Sequence, residues 1–161
     1  MKRSLLVFAL CGLISPAHAA VTANSAVTAQ TPNRGIVQFL QGTDTAGTYK
    51  TLYTAGANGS VCNALWETNN DPSATHLVTV QIVNTAVKYG GTAVTTAHSD
   101  GFASAVPPQN FMSTTNWPGL PLDTAGNPYL QLVSGDTVQA TFATNLTASD
   151  LINLVIFCAD Y

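Results

Sequence analysis

Apolar and polar residues alternate along much of this chain in short runs. In HLVTVQIVN (76–84), Val78, Val80 and Ile82 point one way, and Thr79 and Gln81 point the other. In TVQATFA (137–143), Val138, Ala140 and Phe142 alternate with Thr137, Gln139 and Thr141. A period of two is the mark of a strand with one face buried. Further β-type runs are Ile36–Gln41, Thr48–Thr54, Ser60–Thr68, Thr92–Ala97, Tyr129–Val133 and Leu151–Cys158. Turn signals rich in Gly, Asn, Asp and Pro separate them: TAGANGS (54–60), TNNDPSAT (68–75), YGG (89–91), DTAGNP (123–128) and SGD (134–136). About eight short strands at this spacing predict an all-β fold, an antiparallel sandwich of jelly-roll type.

The last run differs from the others. Leu151, Val155 and Phe157 share one face with Asn153, while Ile152, Leu154, Ile156 and Cys158 share the other. A strand apolar on both faces belongs inside a sheet, so the chain is predicted to end mid-sheet. The alternative for 147–157 is a helix capped by Thr147, with Asp150 at its third position. The β-branched and aromatic content favours the strand.

Residues 98–122 are the least regular stretch. Four prolines exclude a central strand through most of it. Its apolar residues imply either a packed crossover or a contact surface. The second reading nominates Phe111, Trp117 and Leu120, with Tyr129 just beyond, as contact residues.

The amino terminus changes the picture of where the protein works. Lys2 and Arg3 precede an apolar run from Leu5 to Ile14, and Ala17-His18-Ala19 forms an A-x-A cleavage site. This predicts a signal peptide over 1–19 and export to the periplasm, the cell surface or the medium. Its apolar run is too short to span a bilayer, and no later stretch suits a membrane helix. Residues 20–34 are small, polar and nearly unpatterned, and are expected to form a flexible arm ahead of a domain over 35–161.

Charge is sparse, at 8% of residues against an ordinary ~25%. Beyond the signal peptide only Arg34, Lys50 and Lys88 are basic. No basic patch forms, which excludes nucleic acid as a partner. The sequence carries 22 Thr and 12 Asn, which keep a surface wet without ionising it. Low charge also removes one safeguard against association between strand edges.

Two cysteines remain beyond the signal peptide, Cys62 and Cys158. In an exported chain they predict one disulfide; the alternative is two separate buried thiols. His76, His98 and Asp100 are the only residues that invite a metal or acid–base reading. Two histidines are too few for a zinc site, and a solvated loop is the expected setting. Ser60 lies in no nucleophile elbow. No catalytic residue, metal site or cofactor is expected. Tyr49, Tyr53, Trp66, Trp117 and Tyr129 could line a sugar-binding face, although core positions suit aromatics better.

Three segments together resemble small bacteriophage and prophage structural proteins found among virion genes and mostly of unassigned role. They are TLYTAGANGSVCNALWETNND (51–71), NWPGLPLDTAGNPYLQLVSGDTVQATFATNLTA (116–148) and INLVIFCADY (152–161). The similarity spans roughly 48–161 and brings no catalytic motif. Those proteins share the TAGANGS turn and the Pro-Gly-Leu-Pro crossover, and end on Phe-Gly-Gly-Asp-aromatic. Here Cys158 stands at a glycine of that ending, and a signal peptide is added. Both changes suit the same fold in an oxidising compartment and point away from the inside of a virion. The resemblance implies a structural protein that self-associates or decorates a cell-surface or phage-derived assembly. A carbohydrate- or surface-binding module, with a glycan as partner, is the alternative.

Overall fold

The computed structural model describes residues 31–71, 74–85, 87–96, 108–146 and 151–161. Nine strands occur among them: β1 (Thr31–Leu40), β2 (Lys50–Thr54), β3 (Ser60–Asn69), β4 (His76–Asn84), β5 (Val87–Thr96), β6 (Gln109–Asn110), β7 (Leu130–Leu132), β8 (Asp136–Phe142) and β9 (Leu151–Asp160). One sheet runs β1-β9-β3-β6, with β7 also paired to β3; the other runs β2-β8-β4-β5. Every pairing is antiparallel. The pairs nest outward from the β4–β5 hairpin: β3 with β6, β2 with β8, β1 with β9. That nesting is the jelly-roll form of the sandwich.

The core lies between the sheets. Val78, Val80, Ile82, Val138, Ala140 and Phe142 supply one side; Val37, Phe39, Leu65, Ile152, Leu154 and Ile156 supply the other. The Phe39 and Phe142 rings meet across the gap, with centroids 5.1 Å apart. The strands with clean alternation thus fold with the expected faces, because only one parity buries their apolar set. β9 lies between β1 and β3 as an interior strand. Ile152, Leu154 and Ile156 are fully buried, and each such side chain stabilises by ~1.5–3 kcal/mol.

Three differences from the sequence reading have physical causes. First, β1 begins at Thr31, so Thr31–Arg34 belong to the sheet and not to an arm. They pair with Phe157–Asp160 of the last strand, which extends two residues beyond its expected end. Residues 20–30, the signal peptide, His98, Asp100 and the possible helical turn at 147–150 lie outside the described residues. Second, a two-residue strand, β6, follows the prolines. It reaches β3 at Trp66 and Glu67, a pairing too short to leave a pattern in sequence. Third, β3 carries a bulge at Asn63, between Cys62 and Ala64. An extra residue reverses the facing of everything after it. Leu65, Glu67 and Asn69 therefore point into the sandwich, and Trp66 points out.

Candidate functional site

The two ends of the β3–β9 pair hold most of the unusual chemistry. At one end Cys62 and Cys158 stand directly opposite each other and form a disulfide, with Cα atoms 3.9 Å apart and 96 residues between them in sequence. A bridged pair fits an oxidising compartment. Two positions further along β9, Asp160 meets the TAGANGS turn. Its Oδ1 accepts the Ser60 hydroxyl at 2.5 Å and also the Tyr53 hydroxyl. Its Oδ2 accepts the Asn33 amide at 3.1 Å. The Ser60 hydroxyl in turn accepts the Gly56 N–H at 2.9 Å. Glycine at 56 lets the Asp160 side chain come close, since a Cβ there would lie 2.9 Å from its carboxyl carbon and push it aside. The donors from Ser60 and Tyr53 hold the Asp160 carboxyl below its ordinary range. The TAGANGS turn and the terminal Asp-aromatic pair are therefore two halves of one hydrogen-bonded clamp.

At the other end the polar groups are buried. Glu67 is fully buried on the inner face, and neither of its oxygens has a hydrogen-bond partner among the described residues. Burial pushes its carboxyl up to about 8; the Thr96 hydroxyl faces it and tempers the shift. That hydroxyl donates instead to the His76 carbonyl, at 3.1 Å. His76 is buried, not in a solvated loop, and its Nε2 lies 2.8 Å from Asp71 Oδ2. Asp71 Oδ1 accepts the Ala74 N–H at 3.0 Å, and Asn69 Oδ1 accepts the Asp71 N–H at 2.9 Å. These groups serve one another inside the protein. Among the described residues no group of three or more His, Cys, Asp and Glu is placed to hold a metal ion. No helix among them is long and apolar enough to cross a membrane.

The nominated contact residues turn out otherwise. Phe111, Trp117 and Leu120 are core residues, so the 108–122 crossover packs inward and presents no surface at those positions. Tyr129 is half-buried. Of the aromatics considered for a sugar-binding face, Tyr53 and Trp117 are also buried; Trp66 is 40% exposed.

Trp66 belongs to an outer face that differs from its counterpart. On the outside of the β1–β9–β3 sheet, Ile36 stands opposite Val155 and Val155 opposite Trp66. The next row is Arg34, Phe157 and Ala64. Ile36 is 56% and Phe157 43% exposed. A row of Gln38, Asn153 and Thr68 borders this patch, joined by amide and hydroxyl hydrogen bonds of 2.9 and 3.5 Å. The outer face of the second sheet is mixed: Thr79, Gln81, Thr137 and Gln139 stand among Leu77, which is 41% exposed, and Val83, with Gln81 donating to Gln139 at 3.0 Å.

The strand at the rim of the apolar face is blunted. β1 is an edge strand. Pro32 brings no N–H. Asn33 Oδ1 takes the Arg34 N–H at 2.8 Å, Lys50 Nζ caps the Gln38 carbonyl at 2.8 Å, and Asp44 Oδ2 takes the Leu40 N–H at 2.7 Å. These are the devices that stop an edge from pairing with another chain.

No family model matches this chain, and no curated protein matches it. Among solved structures it is similar to a chain described as "Cyanophage Pam1 capsid asymmetric unit", at 14% identity and a TM-score of 0.36, covering 91% of this chain and all of that one. That likeness is too distant to carry a role across.

Proposed function

We propose that this is an exported, non-enzymatic structural or interaction protein that self-associates or decorates a larger surface assembly through the outer face of its β1–β9–β3 sheet. One observation carries the reading: the contiguous apolar rows Ile36–Val155–Trp66 and Phe157–Ala64 on that face, whereas the outer face of the second sheet breaks its apolar Leu77 and Val83 apart with Thr79 and Gln81. Exposed apolar patches of this kind mark contact sites. Strand-edge pairing through β1, the edge beside this face, is blunted by the protein's own side chains, which favours contact through the face over that edge. Asp160, Ser60, Tyr53, Asp71 and His76, meanwhile, are engaged in internal hydrogen bonds.

Sedimentation of the full processed chain over a wide concentration range tests this. Expected is reversible association, or capture of a surface partner, that Ile36→Ser combined with Val155→Thr abolishes while the fold persists. A strictly monomeric chain with no partner, or association indifferent to those substitutions, overturns it.

A further inference from the structure

A cleft opens at the β3–β6 side of this outer face. It holds about 400 Å3 and is lined by Asn63, Ala64, Asn110, Met112, Asp123 and Asn127, with one proline beside them. Its floor follows from the bulge: Asn63 is the extra residue, pushed outward, and its amide has no partner among the described residues. Asn110 pairs with Trp66 across the two strands, and its Oδ1 accepts the Met112 N–H at 2.8 Å, leaving its amide hydrogens to the cleft. Asp123 is fixed in place by the Ala125 and Asn127 N–H groups at 2.9 and 2.8 Å and by the Asn127 amide at 3.2 Å. Trp66 is the register partner of the lining residue Asn110 and shares its face, so the partly exposed Trp66 side chain neighbours the cleft without lining it.

We propose that this cleft binds a neutral pyranose sugar, stacked on Trp66 and hydrogen-bonded through its hydroxyls to Asn63, Asn110 and Asp123. The chemistry selects the ligand. A partly exposed indole such as Trp66 can offer a π face to the C–H face of a sugar ring. Adjacent amides and a carboxylate match a ring of hydroxyls, which both donate and accept. No basic side chain lines the cleft and one carboxylate does, so an anionic sugar is disfavoured. The volume falls within the ~300–1,000 Å3 of small-ligand sites. The proposal rests on the reading of this face as the contact surface, and makes a glycan one of the things contacted.

The test uses the full processed chain and a panel of neutral oligosaccharides: maltotriose, cellotriose, chitotriose, mannotriose and galactobiose. Trp117 is buried, so a change in indole fluorescence on adding sugar that is lost in Trp66→Phe reports on Trp66. Expected is saturable binding of at least one probe by fluorescence and calorimetry. Trp66→Ala should weaken it about tenfold or more and Trp66→Phe less, with Asn63→Ala also weakening it. Asn63 is exposed, so that variant folds if Trp66→Ala does not. Ile36→Ser should leave sugar binding intact, which separates this site from the assembly reading. No binding by any probe, binding indifferent to Trp66→Ala and Asn63→Ala, or a face that captures only protein, overturns the proposal.

Discussion

Glu67 and Asp160 are carboxylates on adjacent paired strands of one sheet, and they have opposite fates. Asp160 sits where β9 meets the TAGANGS turn and collects donors from Ser60, Tyr53 and Asn33. Glu67 sits inside the sandwich and collects none among the described residues. One carboxyl is held below its ordinary range and the other is pushed up to about 8. Residue type is the same to within a methylene, so the difference is set by partners and burial. The end of the strand pair that carries Asp160 is tied down by charge and by a covalent bond. The end that carries Glu67 keeps its packing by keeping a proton.

The tied end should dominate stability. The disulfide closes a span of 96 residues, which the chain-entropy model values at about 4–5 kcal/mol. Replacing both Cys62 and Cys158 with Ala is expected to lower the unfolding free energy by about 4 kcal/mol, measured by urea titration at neutral pH. Removing both partners leaves no lone buried thiol to confuse the reading. A change under 1 kcal/mol would mean that the clamp around Asp160 holds the end without the bridge.

The next effect has the opposite sign. A carboxyl raised from 4.5 to about 8 on folding leaves stability intact below pH 4.5. Stability is then lost as pH rises toward and through 8, because the unfolded chain releases the proton first. The wild type should therefore weaken across that window. Glu67→Gln, which keeps the shape and removes the titration, should be flat there and more stable at pH 7 by on the order of 3 kcal/mol. Parallel pH profiles for the two proteins would show that the carboxyl has found a partner.

Asp160 runs the other way and more weakly. Its lowered carboxyl contributes stability above the ordinary value of 3.8, and the contribution is lost as pH falls through the folded value. Asp160→Asn is expected to cost about 1–2 kcal/mol at pH 7, since charge-assisted hydrogen bonds become neutral ones, and almost nothing once the wild type is protonated. Comparing denaturant midpoints at neutral and strongly acid pH measures the difference.

How much of this arrangement was legible in the sequence depends on where parity could be followed. In β4 and β8 strict alternation fixed both faces, and the run of apolar residues at the end located an interior strand. In β3 parity breaks at Asn63. A two-residue count from Cys62 would put Trp66 inside and Glu67 outside; the bulge reverses both. Nothing in "VCNALWE" announces a bulge, because the extra residue is an ordinary asparagine and no glycine marks it. The buried Glu67, the exposed Trp66 and the cleft beside it all follow from that one residue. The 108–122 crossover failed for a different reason: apolar anchors in an irregular segment look the same whether they pack inward or face a partner. The clamp was half-legible, since the turn and the terminal Asp stood out as motifs while their contact across 100 residues did not.

The smallest effect concerns the link between the clamp and the strand edge. Asn33 donates to Asp160 through its amide nitrogen, and its amide oxygen takes the Arg34 N–H that would otherwise face outward from β1. Both bonds are exposed, so Asn33→Ala is expected to change stability by no more than about 0.5 kcal/mol. Its second consequence is larger than its first. Losing the cap bares one backbone donor on an edge strand that carries a single charge, Arg34, and the substitution should raise slow, temperature-driven association without lowering the unfolding midpoint. Light scattering during prolonged incubation below the midpoint separates the two effects. If association stays unchanged while stability falls by more than 1 kcal/mol, Asn33 acts on the clamp and not on the edge.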